Sequence, residues 1–110
     1  MKYYGLTANL KDDPKAIATY KEYHRHVWPE VEASLHRAGI ARTRIFLLCR
    51  RMFMYMEVAD DFDGSNYLQL YMQEPKAVEW EKLMAQFIEV VPEAKPGELW
   101  ARMEPIYALE

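Results

Sequence analysis

Between Tyr20 and Trp28 the chain crowds acid–base groups and aromatic rings together: Tyr20, Glu22, Tyr23, His24, His26 and Trp28. Tyr20 and His24 are four residues apart, which on a helix places both side chains on one face. Histidine is the side chain whose unperturbed pKa lies nearest neutrality, and a phenol beside it can hydrogen-bond the same reacting oxygen and share its proton. The spacing therefore suits proton transfer on a hydroxylated ligand. It suits equally two core residues whose polar ends are hydrogen-bonded, and spacing alone does not separate the two.

Other chemistries have less to stand on. His24 and His26 lie two apart and face different directions, and His36 is three turns away, so no pair has the i, i+4 geometry of a helical zinc site. Cys49 has no histidine near it in sequence and reads as an inert strand thiol. The four glycines are scattered at positions 5, 39, 64 and 97, without a phosphate-binding loop. Trp80 and Met84, one helical turn apart, fit core packing more readily than a ligand platform. Glu57 shares a strand face with Phe53 and Tyr55, where a carboxylate is usually solvated.

The elements that must carry these groups can be read from periodicity. Residues 1–10 alternate, with Tyr4, Leu6, Ala8 and Leu10 on one side, as a strand does. Asp12, Asp13 and Pro14 then form a helix start, a carboxylate cap followed by proline. Ile17, Tyr20, His24, Val27, Val31 and Leu35 share one helical face. Pro29 kinks or restarts the helix and Gly39 ends it. Apolar runs at 45–48 and 52–58 flank Cys49-Arg50-Arg51, which predicts a hairpin with a short, unusual turn. After a polar loop at 60–65, residues 67–72 and 75–91 read as helical, with Val78, Leu83, Phe87 and Val91 on one face of the second part. Residues 92–97 make a linker and 99–107 a last strand, with Pro105 marking its edge. The order strand, helix, strand, strand, helix, strand predicts an α+β, ferredoxin-like βαββαβ sandwich.

Composition bounds the function. At 110 residues the chain predicts a single domain over 1–110. Its 51% apolar and 28% charged residues suit a folded core. Fourteen basic against seventeen acidic residues give a net charge of −3, with no basic block to meet a nucleic acid. Without an N-terminal apolar stretch or a run near ~20 apolar residues, neither a signal peptide nor a membrane span is expected. A lone cysteine fits a reducing compartment, so the expected location is the cytoplasm. Aromatics, at 14%, are in excess. Because two helices cover only one face of such a sheet, a homodimer is the expected assembly.

The stretch Tyr20, His24, Trp28-Pro29-Glu30, Val31 and Glu32 resembles the Tyr-x-x-x-His-x-x-x-Trp-Pro-Glu-(aliphatic)-Glu motif of the L-rhamnose mutarotase family. Weaker matches continue in order through Leu35, Gly39, Ile45-Phe46-Leu47, Phe53 to Val58, Trp80 with Lys82 and Met84, Pro92 and Ile106-Tyr107. The resemblance implies a cofactor-free, metal-free dimeric enzyme, with the dimeric αβ-barrel form of the ferredoxin-like fold, that interconverts the anomers of a 6-deoxy-hexose. On this basis His24 matches the acid–base histidine, Tyr20 the helical tyrosine and Trp80 a pocket tryptophan. Trp28, within the motif, joins the expected substrate contacts. Thr43 stands where rhamnose-specific members carry a strand tyrosine, and Glu81 where they carry the second of two adjacent tryptophans. Both are expected to meet substrate, and they tilt the expected sugar from L-rhamnose toward L-fucose. Two other classes share the fold order: a dimeric αβ-barrel monooxygenase or decarboxylase, and a non-enzymatic small-ligand-binding dimer.

Overall fold

The computed structural model describes residues Met1–Glu110. Strand β1 (Lys2–Leu10) leads into helix α1 (Pro14–Arg25), helix α2 (Pro29–Arg37), strands β2 (Ile40–Leu48) and β3 (Arg51–Val58), helix α3 (Tyr67–Tyr71), helix α4 (Pro75–Ala85), and short strands β4 (Ile88–Glu89) and β5 (Ala101–Met103). The sheet runs β2-β3-β1-β4, with β5 also antiparallel to β1. This is the expected ferredoxin-like order, with the closing strand split in two.

Local chemistry explains the helix starts. The Asp13 side chain accepts from the Lys15 amide at 3.0 Å, and Pro14 fills the first turn, where its missing N–H is not needed. Pro29 restarts the chain as a second helix rather than kinking one, with Trp28 extended between them. Gly39 comes after the α2 cap at φ 99°, a left-handed conformation that glycine adopts without a Cβ penalty.

Alternation decides what each sheet face does. Leu6, Ala8 and Leu10 of β1 and Met52, Met56 and Val58 of β3 are buried beneath the helices. Each of the larger side chains among them contributes about 1.5–3 kcal/mol when fully buried. The opposite face presents Tyr3, Phe53, Phe46, Leu48 and Met103, all exposed. Register brings Phe46 opposite Phe53, and their rings stack at 6.1 Å.

Four expectations change. Strand β2 starts at Ile40 rather than at 45, because its polar opening Arg42-Thr43-Arg44 pairs with β3 beyond a bulge at Ala41. The hairpin turn holds only Cys49 and Arg50; Arg51 pairs with Leu48, and Cys49 takes φ 56°. Arg50 secures this turn by donating to the Leu10 carbonyl at 3.1 Å and pairing with Glu89 at 2.9 Å. The second helical stretch stops at Ala85, not 91: the edge of β1 captures the residues beyond it, with the Lys11 amide donating to the Phe87 carbonyl at 2.8 Å and Leu10 paired with Ile88. Its buried stripe is therefore Ala77, Trp80 and Met84 rather than Val78, Leu83, Phe87 and Val91. The last strand contracts from 99–107 to Ala101–Met103, leaving 104–110 without regular structure.

Candidate active site

Helix α1 carries Tyr20 and His24 on its inward face, as their spacing predicts, and the rings stack at 4.3 Å between centroids. Helix α4 brings Trp80 edge-on to His24 at 5.4 Å. Trp28, extended at the α1–α2 junction, meets Trp80 at 5.2 Å. Lys76 lies over the Trp28 ring, 5.6 Å from its centroid. Tyr20 and Trp80 are buried and form the floor, while His24 and Trp28 are half-buried and reach solvent.

The hydrogen bond made by His24 defines its chemistry. Its Nδ1 lies 2.9 Å from the Tyr20 carbonyl oxygen. A carbonyl oxygen can only accept, so Nδ1 holds the proton and Nε2 keeps a free lone pair in the neutral ring. Burial pushes the His24 pKa below its ordinary value, partly opposed by that backbone hydrogen bond. The ring is thus neutral at pH 7, with a basic nitrogen available at the half-open side of the cluster. Burial, then the Glu81 charge, pushes the Tyr20 phenol far above its usual range, so it remains a protonated donor.

Glu81 comes directly after Trp80 on α4 and is half-buried. Burial raises its carboxyl above the usual carboxylate range, and the polar influence of the Tyr71 phenol partly opposes the rise. Tyr71, on α3, is a residue that sequence reasoning missed, although the i, i+4 pair Tyr67 and Tyr71 was a signal of one aromatic helical face. Thr43 is exposed on edge strand β2. Its register partner is Met56, which places it on the sheet side that the helices cover.

The remaining histidines lie elsewhere. His26 is exposed at the α1 cap, 3.7 Å from Glu22, and His36 donates through Nδ1 to the Ile40 carbonyl at 3.0 Å. Glu57 is not fully solvated, since only 14% of its side chain is accessible, and it pairs with Arg42 at 3.7 Å. Two surface clefts, of about 430 and 530 Å³, are lined by other residues, including Arg102 and Lys95 in one and Tyr3 and Tyr107 in the other.

A neutral, lone-pair-bearing imidazole among aromatic rings fits general acid–base chemistry on a sugar. The family described as L-rhamnose mutarotase matches residues 3–109. The chain belongs to that family. It is therefore a sugar mutarotase, an isomerase that exchanges anomers. A UPF0734 protein of Dictyostelium discoideum is 41% identical over 113 residues, covering 99% of this mutarotase and 90% of the relative. The L-fucose mutarotase of Xanthomonas campestris pv. campestris is 41% identical over 103 residues, covering 92% and 82% respectively. Among solved structures, an L-rhamnose mutarotase from Formosa agariphila superposes with a TM-score of 0.73 at 22% identity, covering 100% of both chains. A dimeric ferredoxin-like protein from an uncultured marine organism gives 0.57 at 13%, covering 98% of this chain and 91% of the other. Both superpositions support the ferredoxin-like architecture.

Proposed function

We propose that this mutarotase acts on a 6-deoxy-L-hexose, L-fucose in preference to L-rhamnose, with His24 as its principal proton-transfer group and Tyr20 beside it. The observation that carries the reading is the hydrogen bond from His24 Nδ1 to the Tyr20 carbonyl, which leaves Nε2 free as a base. Nε2 takes the proton of the anomeric hydroxyl, and the protonated imidazole passes it to the ring oxygen as the bond from C1 to that oxygen breaks and the C1 carbonyl forms. The aldehyde then rotates about C1–C2, and the reverse transfers close the ring on its other face. Both steps are proton transfers, so the reading assigns no metal and no cofactor. Trp80 and Trp28 offer aromatic surface to the C–H face and methyl group of the sugar.

The preference for L-fucose rests on two residues and one relative. Thr43 and Glu81 offer a hydroxyl and a carboxylate where the rhamnose-type pattern has rings. A site built to hydrogen-bond a hydroxyl discriminates strongly when that hydroxyl moves, as it does between these two sugars. The Xanthomonas relative supports the same choice. The reading also takes residues 1–110 as one mutarotase domain and the open sheet face as the contact of a homodimer, with a small sugar rather than nucleic acid as partner. No helix is long and apolar enough to cross a membrane, and a cytoplasmic location completes the proposal.

Polarimetry of freshly dissolved single anomers tests the sugar. L-Fucose should equilibrate faster than L-rhamnose at equal enzyme, and Thr43→Tyr should narrow the ratio. Faster L-rhamnose equilibration by the unaltered protein overturns the preference.

A further inference from the structure

Trp28 stands at the junction of α1 and α2, where its backbone is extended and its side chain makes no capping hydrogen bond to the helix that follows. Two residues of α4 hold its ring. Trp80 meets it at 5.2 Å between centroids, and the Lys76 ammonium lies over it, 5.6 Å from the centroid. Lys76 and Trp80 are four residues apart, so they share the α4 face that reaches the α1–α2 junction. Trp80 in turn meets His24 at 5.4 Å. Lys76 therefore ends a row that runs from the imidazole through two indoles to an ammonium.

Helix stability does not account for a lysine at this position. Pro75 opens α4, the first turn holds no acidic residue, and Lys76 comes directly after the proline. A cation in the first turn opposes the helix macrodipole, where a carboxylate would help. Its ion-pair partner Glu79 is 3.4 Å away, with both side chains exposed, a geometry that contributes little. Breaks with local preference are expected at functional sites. The contact left to explain this one is the indole, whose negative face attracts an ammonium.

We propose that Lys76 is a positioning residue for sugar binding: its ammonium holds the Trp28 ring in the orientation that meets the sugar, and it acts on that ring rather than on the reacting atoms. The inference rests on the reading of Trp28 as a substrate contact and deepens it. A ring held before the sugar arrives loses less freedom on binding. Lys76 thus strengthens the ground state and the transition state alike, which shows in KM and leaves kcat unmoved.

The test is anomer exchange of L-fucose and L-rhamnose over a range of sugar concentrations, with circular dichroism of each protein. The proteins are wild type, Lys76→Gln, Lys76→Arg, Trp28→Leu and the double variant of Lys76→Gln with Trp28→Leu. Lys76→Gln removes the charge at similar helix propensity. It should raise KM about two- to five-fold, the size of an exposed cation–π contact, with kcat unchanged. Lys76→Arg keeps a cation over the ring and should return KM to the wild-type value. In the Trp28→Leu background, Lys76→Gln should change nothing further. An unchanged KM in Lys76→Gln, a loss carried by kcat, or an equal loss in Lys76→Arg overturns the proposal, as does a KM effect that persists once the indole is gone. If Trp28→Leu does not fold, the comparison of Lys76→Gln with Lys76→Arg decides. Wild type that accelerates neither sugar, or Trp28→Leu with wild-type KM, contradicts the underlying reading of the site instead, so the two failures are distinguishable.

Discussion

His24 owes its chemistry to a contact with its own helix. The Tyr20 carbonyl that orients the imidazole is the one a helix offers four residues back, so spacing alone placed the two together. The sequence does not state which nitrogen carries the proton, because that depends on the rotamer of His24 in the finished packing. Replacing His24 with Ala should remove about 10²–10⁴-fold of the acceleration while leaving circular dichroism unchanged; wild-type rates in that variant would sink the assignment. Burial also sets a pH expectation. Only neutral His24 is a base, and its pKa lies below the ordinary 6.5, so the acid limb of the rate profile should lie below that value and vanish in His24→Ala. A limb centred above 6.5 would contradict the burial argument. Glu81 was legible as a departure from the family pattern, but its partial burial was not, since that depends on how α4 packs in the finished fold.

Elements with strong local signals were readable and those shaped by neighbours were not. Alternation in β1, the Asp13-Pro14 cap, the break at Pro29 and the stop at Gly39 each have a cause within a few residues. Segment 86–91 does not: its apolar spacing continues the α4 pattern, yet the open edge of β1 offers backbone hydrogen bonds that outweigh another helical turn. Helix α3 depends on a contact no local pattern reveals. Ser34, 1% exposed on α2, donates to the Tyr71 carbonyl at 2.7 Å. Ser34→Ala leaves that buried acceptor unpaired and should cost about 1–3 kcal/mol, read as a lower urea midpoint at unchanged m-value. An unshifted midpoint would show that α3 does not rely on this bond. Trp80, 5% exposed beneath His24, Tyr23 and Trp28, is core as well as site. Its truncation to Ala should cost about 3–5 kcal/mol, so losses of rate in that variant belong to stability as much as to binding.

Across the whole molecule, the open sheet face holds four of the aromatic residues, Tyr3, Phe46, Phe53 and Tyr55, while most of the others pack on the helix side. Phe46 is 57% exposed on edge strand β2, beside Leu48, and stacks on Phe53. A long apolar edge and face of this kind is what a second copy would cover. Sedimentation should give about twice the chain mass of 13.1 kDa, and Phe46→Glu, which places a like charge from each copy at the contact, should give the monomer. A wild-type monomer at micromolar concentration would contradict the assembly. The fold order was legible because most of its elements have their own periodicity. For the assembly the sequence offered only the expectation of an uncovered face, because the residues of one chain record what is left open and not how two copies would be turned.

Saturation-transfer NMR between the two anomeric protons of L-fucose tests the central claim most directly, because it reads exchange at equilibrium with no coupled reaction. Wild-type protein at micromolar concentration should transfer saturation well above the uncatalysed background, and His24→Ala, equally folded, should return it close to that background. Exchange that stays at background with wild type, or persists undiminished in His24→Ala, would contradict proton transfer through His24.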